Sequence, residues 1–416
     1  MSPSRPTRYH AAWVLPVAAP PFRDGWVEVA GGVVTGIGRS TSAPRDTAVR
    51  RVRLPSHVVL PGLVNAHTHL ELSGLRGAVP RAGSMPDWAR AVMAGQSRLA
   101  AADGAAAVSA AVAEMRRAGT ALVGDIANTR VSVEVLRRGP VAAVVFREAL
   151  GFDADASEAR TIAAALGAER AANPGPHVRV AVAAHAPYSV APGLFRALAE
   201  AARGGPRSVH VAESAAELEL LRTGTGAWRA ILEERNRWHS GWTPPGTGPV
   251  AYLDALGWVG PDTLLVHGVH LTRAEIERIA AAGATLVACP RSNAWTGAGT
   301  PPLSRFYASG GRVAVGTDSL ASVPDLNLFA ELAAMRRLAP SVPASVLIAS
   351  ATAVGAAALG AGDRFGAIAP SRPAALIAVE LPARTDDVEE YLLSGIEPDR
   401  ITWLADLDSG PDAPGG

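Results

Sequence analysis

The feature that most limits the fold is a series of eight strand-length apolar segments, spaced by alanine-rich amphipathic stretches. They read GLVNAH, ALVGDI, VAAVVF, VRVAVAAH, SVHVAE, TLLVHG, TLVACP and VAVGTD, and together run from Gly62 to Asp318. Near-continuous apolar runs of this kind belong to strands covered on both faces, as in a parallel sheet wrapped by helices. The connecting stretches, such as AAAVSAAVAEMRRAG and PGLFRALAEAARGG, end at glycine, where helices commonly stop. Eight strand and helix units over about three hundred residues predict a parallel (β/α)8 barrel of the TIM type. The competing α/β fold, an open doubly wound sheet, normally begins with a glycine-rich phosphate loop. No GxGxxG or Walker sequence follows any of the eight segments.

Outside the barrel the texture changes. Short β-like runs (AAWVLPV, GWVEVAGGVVTGIG, AVRRVRL) precede Leu60-Pro61-Gly62, and others (GAIAP, AALIAVE) follow Ala356. The two ends therefore predict one small β-sandwich domain. Residues 1–60 supply its first part, 61–355 form the barrel, and 356–416 supply the second part and a tail, SGPDAPGG, that reads as disordered. Trp228 to Tyr252, in the connection after the fifth segment, carries three tryptophans among glycines and prolines. It reads equally as a surface excursion pinned by its own aromatics and as a lid over the barrel mouth.

Composition narrows the partners. The net charge of +1 gives no field that would draw nucleic acid or a membrane surface. No run approaches the roughly 20 apolar residues that span a bilayer, and Met1–His10 lacks the apolar centre of a signal peptide. The single cysteine, Cys289, cannot form an internal disulfide, which suits a reducing cytoplasm; ending the run ATLVACP, it reads as a buried structural residue. All 39 basic residues are arginine, so lysine Schiff-base chemistry is excluded.

The histidines carry the chemistry. His67 and His69 lie two apart, and in a strand such residues point to one side and can reach one ion. His185, His210, His267 and Asp318 each fall at or near the carboxyl end of a predicted strand, where a barrel collects its catalytic residues. His10, His57, His177 and His239 lie elsewhere and read as structural or exposed; His270 reads as a loop or helix-start residue. Neutral imidazoles with one carboxylate suit Zn²⁺, although ligand type alone leaves Fe²⁺ and Mn²⁺ open.

In order along the chain, PGLVNAHTHL, AAHAPYS, HVAES, LVHGVHLT, ACPRSN and GTDSLAS resemble the motif series of the amidohydrolase superfamily. The match is closest to its branch of aminohydrolases and chlorohydrolases, with aminodeoxyfutalosine deaminases and S-adenosylhomocysteine and methylthioadenosine deaminases as the nearest types. The resemblance implies one divalent ion on His67, His69, His210 and Asp318, with His267 beside the attacking water. The lysine-bridged metal pair of other superfamily members is impossible without lysine. Glu213, three residues after His210, matches the glutamate that hands a proton to the substrate ring. His185, Glu71 and Arg291 are expected to contact substrate, Arg291 through a carboxylate. The implied reaction is hydrolytic deamination of an adenine-bearing small molecule, with aminodeoxyfutalosine in menaquinone synthesis as the leading substrate. A chlorohydrolase, an amidase-type hydrolase and a guanine or S-adenosylhomocysteine deaminase are the alternatives. The HxE and PCxxC signature of polynucleotide deaminases is absent, so a small heterocycle is the expected partner, and a homodimer the oligomer to test.

Overall fold

The structure is a computed structural model that describes residues 5–44, 48–97, 101–172 and 175–408. The expectation for the SGPDAPGG tail falls outside the described residues. Four strands precede the barrel: β1 (Thr7–Val14), β2 (Phe22–Ala30), β3 (Val33–Arg39) and β4 (Arg50–Pro61). The barrel strands are β5 (Leu63–Thr68), β6 (Thr120–Ala127), β7 (Ala142–Ala149), β8 (Val178–Ala184), β9 (Arg207–Val211), β10 (Thr263–His267), β11 (Thr285–Ala288) and β12 (Arg312–Val315). Two more, β13 (Leu376–Glu380) and β14 (Ile401–Trp403), return near the carboxyl end.

All eight expected barrel segments are strands, and they pair in parallel in sequence order. The residues of β5, β6, β7, β10 and β11 are buried throughout. Helices cover their outer side: Leu194, Phe195 and Leu198 of the helix Pro192–Ala201 face inward, and Trp258 Nε1 donates to the Phe195 carbonyl at 2.8 Å. Among the described residues no helix is long and apolar enough to cross a membrane.

The two chain ends meet in one six-stranded mixed sheet, ordered β14-β13-β4-β1-β2-β3. The strand β4 is its link to the barrel. Its last residues pair with β13 (Leu60 with Ile377, Pro61 with Leu376), and the chain enters β5 two residues later. Trp403 of β14 fastens the sheet to the barrel, donating from Nε1 to the Arg116 carbonyl at 2.6 Å beneath the Arg116 guanidinium.

The barrel closes between its first and last strands through a short set of contacts. The Asp318 N–H donates to the His67 carbonyl at 3.1 Å. Asn65 Nδ2 donates to Thr317 Oγ1 at 2.8 Å, and the Thr317 N–H donates back to Asn65 Oδ1 at 3.2 Å. Thr68 Oγ1 donates to the Asp318 carbonyl at 2.7 Å. Gly316 makes this approach possible: a Cβ there would lie 2.6 Å from the His67 carbonyl oxygen and 2.9 Å from its nitrogen. Backbone atoms cannot swing aside. Gly316→Ala should therefore destabilise the fold by about 1–3 kcal/mol, the usual cost of overpacking, read as a lower denaturation midpoint. Unchanged stability would mean that the seam tolerates a methyl group.

Candidate active site

Where β5 ends, its pairing with β6 slips: Asn65 stands opposite Val123 but Thr68 opposite Asp125, a bulge of one residue. His67 and His69 flank the end of this irregular stretch. Their rings meet edge to face, with centroids 4.9 Å apart. They converge as expected, though on a bulged strand rather than by simple alternation. The Leu70 N–H that follows is held by Asp125 Oδ1 at 2.9 Å.

The other residues come from the ends of β9, β10 and β12. Three positions there have a left-handed backbone: Ala212 (φ 48°), His267 (φ 74°) and Asp318 (φ 61°). Non-glycine residues rarely adopt this conformation, which costs on the order of 1–3 kcal/mol and clusters at functional sites. The bends take each chain off its strand across the barrel mouth.

Together these elements bring His67, His69 and His210 to one point. One nitrogen from each lies within 4.8 Å of the others, and His69 Nε2 stands 3.3 Å from His210 Nε2. Asp318 Oδ1 is 3.8 Å from His69 Nε2. His67 is fully buried, and neither of its ring nitrogens has a hydrogen-bond partner in the protein. Orphaned buried nitrogens are costly unless something binds them. Burial lowers the pKa of His69 to about 3 and of His210 to about 4, with His185 adding to both. These rings are therefore neutral and available as ligands, so the donor set fits a divalent cation.

Hydrogen bonds hold the surrounding groups. His210 Nδ1 faces the His185 carbonyl at 2.7 Å, which directs Nε2 inward. Ser292 Oγ donates to Asp318 Oδ2 at 2.5 Å, and Asn293 Nδ2 lies 3.0 Å from His267 Nδ1. Glu213 is 2 % exposed, with Oε1 at 3.5 Å from His267 Nε2. Burial, then the charges of Asp318 and Glu217, pushes its carboxyl well above the ordinary range.

His69, His210, His267, Asp318 and Glu213 open onto a cavity of about 430 Å³, a size suited to a small molecule. Its apolar lining comes from Met85, Tyr188, Trp228 and Ile231, which pack as one cluster, and from Trp88 and Val92. Tyr188 and Trp228 stack at 3.8 Å. His185 and Glu148 supply a polar edge, and Arg235 and Arg237 stand at the mouth. The segment after Glu234 packs Trp238 and Trp242 on Phe152, with ring centroids 5.4 and 5.2 Å away.

Two sequence expectations need correction. Glu71 does not line the cavity; its carboxylate accepts the backbone N–H groups of Asn128 and Thr129, both at 3.0 Å, and the Thr129 hydroxyl at 2.5 Å. Arg291 does not line it either. Its guanidinium grips Asp325 bidentately at 2.8 and 2.9 Å, and Nε lies 3.6 Å from the fully buried Glu331. A substrate carboxylate would have to displace Asp325. Sequence reasoning also passed over Ser292 and Asn293, although both lie in the quoted run CPRSN, and over Glu217, whose S-x-x-E spacing was visible.

The model of the amidohydrolase family matches residues 58–404. The chain belongs to the amidohydrolase family. Its members are metal-dependent hydrolytic enzymes acting on C–N bonds. This amidohydrolase is 33% identical to the aminodeoxyfutalosine deaminase of Deinococcus radiodurans over 352 residues, which cover 82% of each chain. It superposes on a zinc-bound adenosine deaminase from Xanthomonas campestris with a TM-score of 0.81, 28% identity and coverage of 95% of this chain and 90% of the other. It superposes likewise on the Helicobacter pylori aminofutalosine deaminase bound to methylthio-coformycin, with a TM-score of 0.82, 25% identity and coverage of 93% and 95%.

The position of Arg291 in this amidohydrolase has a measurable consequence. Arg291→Met would strand the Glu331 carboxylate without its cation, and removing one partner of a buried pair costs about 3 kcal/mol or more. Denaturant titration should show that loss, while kcat/KM stays within a few-fold of the parent. A stable variant with a selective rise in KM would return Arg291 to the substrate.

Proposed function

We propose that this chain is a hydrolytic deaminase of an adenine-bearing small molecule, with aminodeoxyfutalosine as the leading substrate and a place in menaquinone synthesis. The observation that carries the reading is Glu213, a buried carboxyl whose pKa is pushed well up by burial, 3.5 Å from His267 Nε2, in an apolar-lined cavity shared with His69, His210 and Asp318. The names of the relatives point the same way.

His67, His69, His210 and Asp318 would hold one divalent ion, and zinc is the choice that their chemistry favours. When bound, such an ion brings the pKa of water from about 16 down to about 7. The remaining work falls to the side chains. Asp318, with Oδ2 engaged by Ser292, has Oδ1 to take a proton from the water. The Asn293 side-chain amide, 3.0 Å from His267 Nδ1, fixes the imidazole with Nε2 towards Glu213. Glu213 gives its proton to the ring nitrogen beside the attacked carbon. A carbon–oxygen bond forms, the exocyclic carbon–nitrogen bond breaks, and the amino group leaves as ammonia with the proton that Asp318 took from water, while the new hydroxyl gives its proton back to Glu213 as the ring carbonyl forms. His185, held through Nδ1 by the Ser189 hydroxyl at 2.6 Å, lies along the heterocycle's edge.

Glu213→Gln keeps the shape of the side chain and removes the transferable proton. Ammonia release from aminodeoxyfutalosine or adenosine should fall by about a hundredfold or more, with zinc content still near one per chain. Turnover close to that of the parent would remove Glu213 from the chemistry. Failure of the parent enzyme to release ammonia from any of a panel of adenine nucleosides would overturn the deaminase reading.

With Arg291 occupied, a substrate carboxylate is better met by Arg235 at the cavity mouth. Among the described residues, no carboxylate pairs with it. Because Arg235 is exposed, the expected effect is modest. Arg235→Met should raise KM for a carboxylate-bearing adenine nucleoside three- to tenfold, about 1 kcal/mol, and leave adenosine unchanged. Equal changes for both substrates would exclude charge recognition at Arg235.

A further inference from the structure

Three barrel helices start with the same spacing, a small polar residue followed three positions later by glutamate: Asp155 and Glu158, Ser214 and Glu217, Thr272 and Glu275. In two of them the pair is a reciprocal capping box. The Asp155 N–H donates to Glu158 at 3.1 Å and the Thr272 N–H to Glu275 at 2.9 Å, each glutamate lying at or near the surface.

Glu217 behaves differently. The Ser214 hydroxyl still accepts the Glu217 N–H at 3.3 Å. The Glu217 carboxylate, however, reaches past the cap into the protein. Oε1 accepts the Ala212 N–H at 2.8 Å and Oε2 accepts the Glu213 N–H at 3.1 Å. Glu217 is fully buried; burial raises its pKa, and the two N–H groups that its oxygens accept oppose the rise by favouring the ionised form. Helix capping alone does not call for this, since Glu158 and Glu275 cap their helices without full burial. The two N–H groups belong to the peptides that carry the chain through the left-handed bend at Ala212 and bring Glu213 to the cavity. On the other side, the His270 N–H donates to the Ala212 carbonyl at 2.8 Å and completes the clamp.

We infer that Glu217 is a positioning residue, whose carboxylate holds the backbone of Ala212 and Glu213 so that Glu213 faces the reacting ring. The inference rests on the reading of Glu213 as proton donor. A glutamine cannot substitute for this carboxylate. It offers one acceptor oxygen, and its NH2 group would face a second N–H.

The test uses the zinc-loaded full chain and ammonia release from an adenine nucleoside. Glu217→Gln should lower kcat at least tenfold, with KM and zinc per chain within twofold of the parent. Glu217→Asp, which keeps the carboxyl group on a stem too short to span both N–H groups, should also lower kcat, and it carries the test if the glutamine variant does not fold. Glu158→Gln and Glu275→Gln make the same chemical change at ordinary capping boxes and should leave kcat unchanged. Parental kcat in the Glu217 variants, or a fall that only tracks lost zinc or folded protein, overturns the inference. So does an equal fall in the two capping-box controls. If Glu213→Gln is inactive while Glu217→Gln is fully active, only this inference fails. If Glu213→Gln is itself fully active, the proton-donor reading fails and this inference with it.

Discussion

The close approach of β12 to β5 is the contact on which the rest of the site depends. The missing side chain of Gly316 lets the last strand lie directly against the His67 backbone, and the Asp318 N–H then bonds to the His67 carbonyl. Asp318 and the His67–His69 pair come from opposite ends of the barrel sequence and meet only across this seam. Side chains rather than a regular backbone ladder hold much of it, through Asn65, Thr68 and Thr317. A parallel barrel buries its strands on both faces, so polar groups at the seam have no water to satisfy them and must satisfy each other.

Around that seam the protein keeps several carboxylates out of water, each tied to something it orients. Asp125 holds the Leu70 N–H just after His69, and Ser292 holds Asp318. Glu217 holds the backbone of Ala212 and Glu213, and Glu331 lies against Arg291. Buried ion pairs are poor sources of net stability, yet removing one partner is strongly destabilising because the other is left uncompensated. The left-handed bends at Ala212, His267 and Asp318 add local strain at the same mouth. The apolar core beneath, continuous from β5 through β12, supplies the stability that allows this arrangement.

Several residues singled out in the sequence come together for reasons other than their spacing. Alternation along a strand brought His67 and His69 together on paper, whereas the structure uses a bulge and an edge-to-face meeting of rings. Glu71 and Arg291 looked like substrate contacts because each adjoins a metal-ligand motif or a strand end. Neighbourhood in sequence does not say where a long side chain finds its partner. Glu71 found the Asn128–Thr129 turn, and Arg291 found Asp325 and Glu331. Glu217 shows the reverse case. Its S-x-x-E spacing is that of an ordinary helix cap, and only the path of the preceding loop reveals what the carboxylate holds.

The sequence by itself determined the barrel and the end-to-end pairing of the small sheet, because both follow from the length and periodicity of apolar runs. It also indicated which histidines gather together, because residues at the carboxyl ends of strands share one mouth in any parallel barrel. The absence of lysine needed no structure at all. Only the tertiary structure decided which charged side chains face the cavity and which are consumed by partners far away in sequence. Arg291 and Asp325 are separated by 34 residues, and Asn65 and Thr317 by 252. Such pairings depend on distances of a few ångströms between packed elements. Hydrophobic periodicity, which reports only which face of an element is buried, carries no information at that scale.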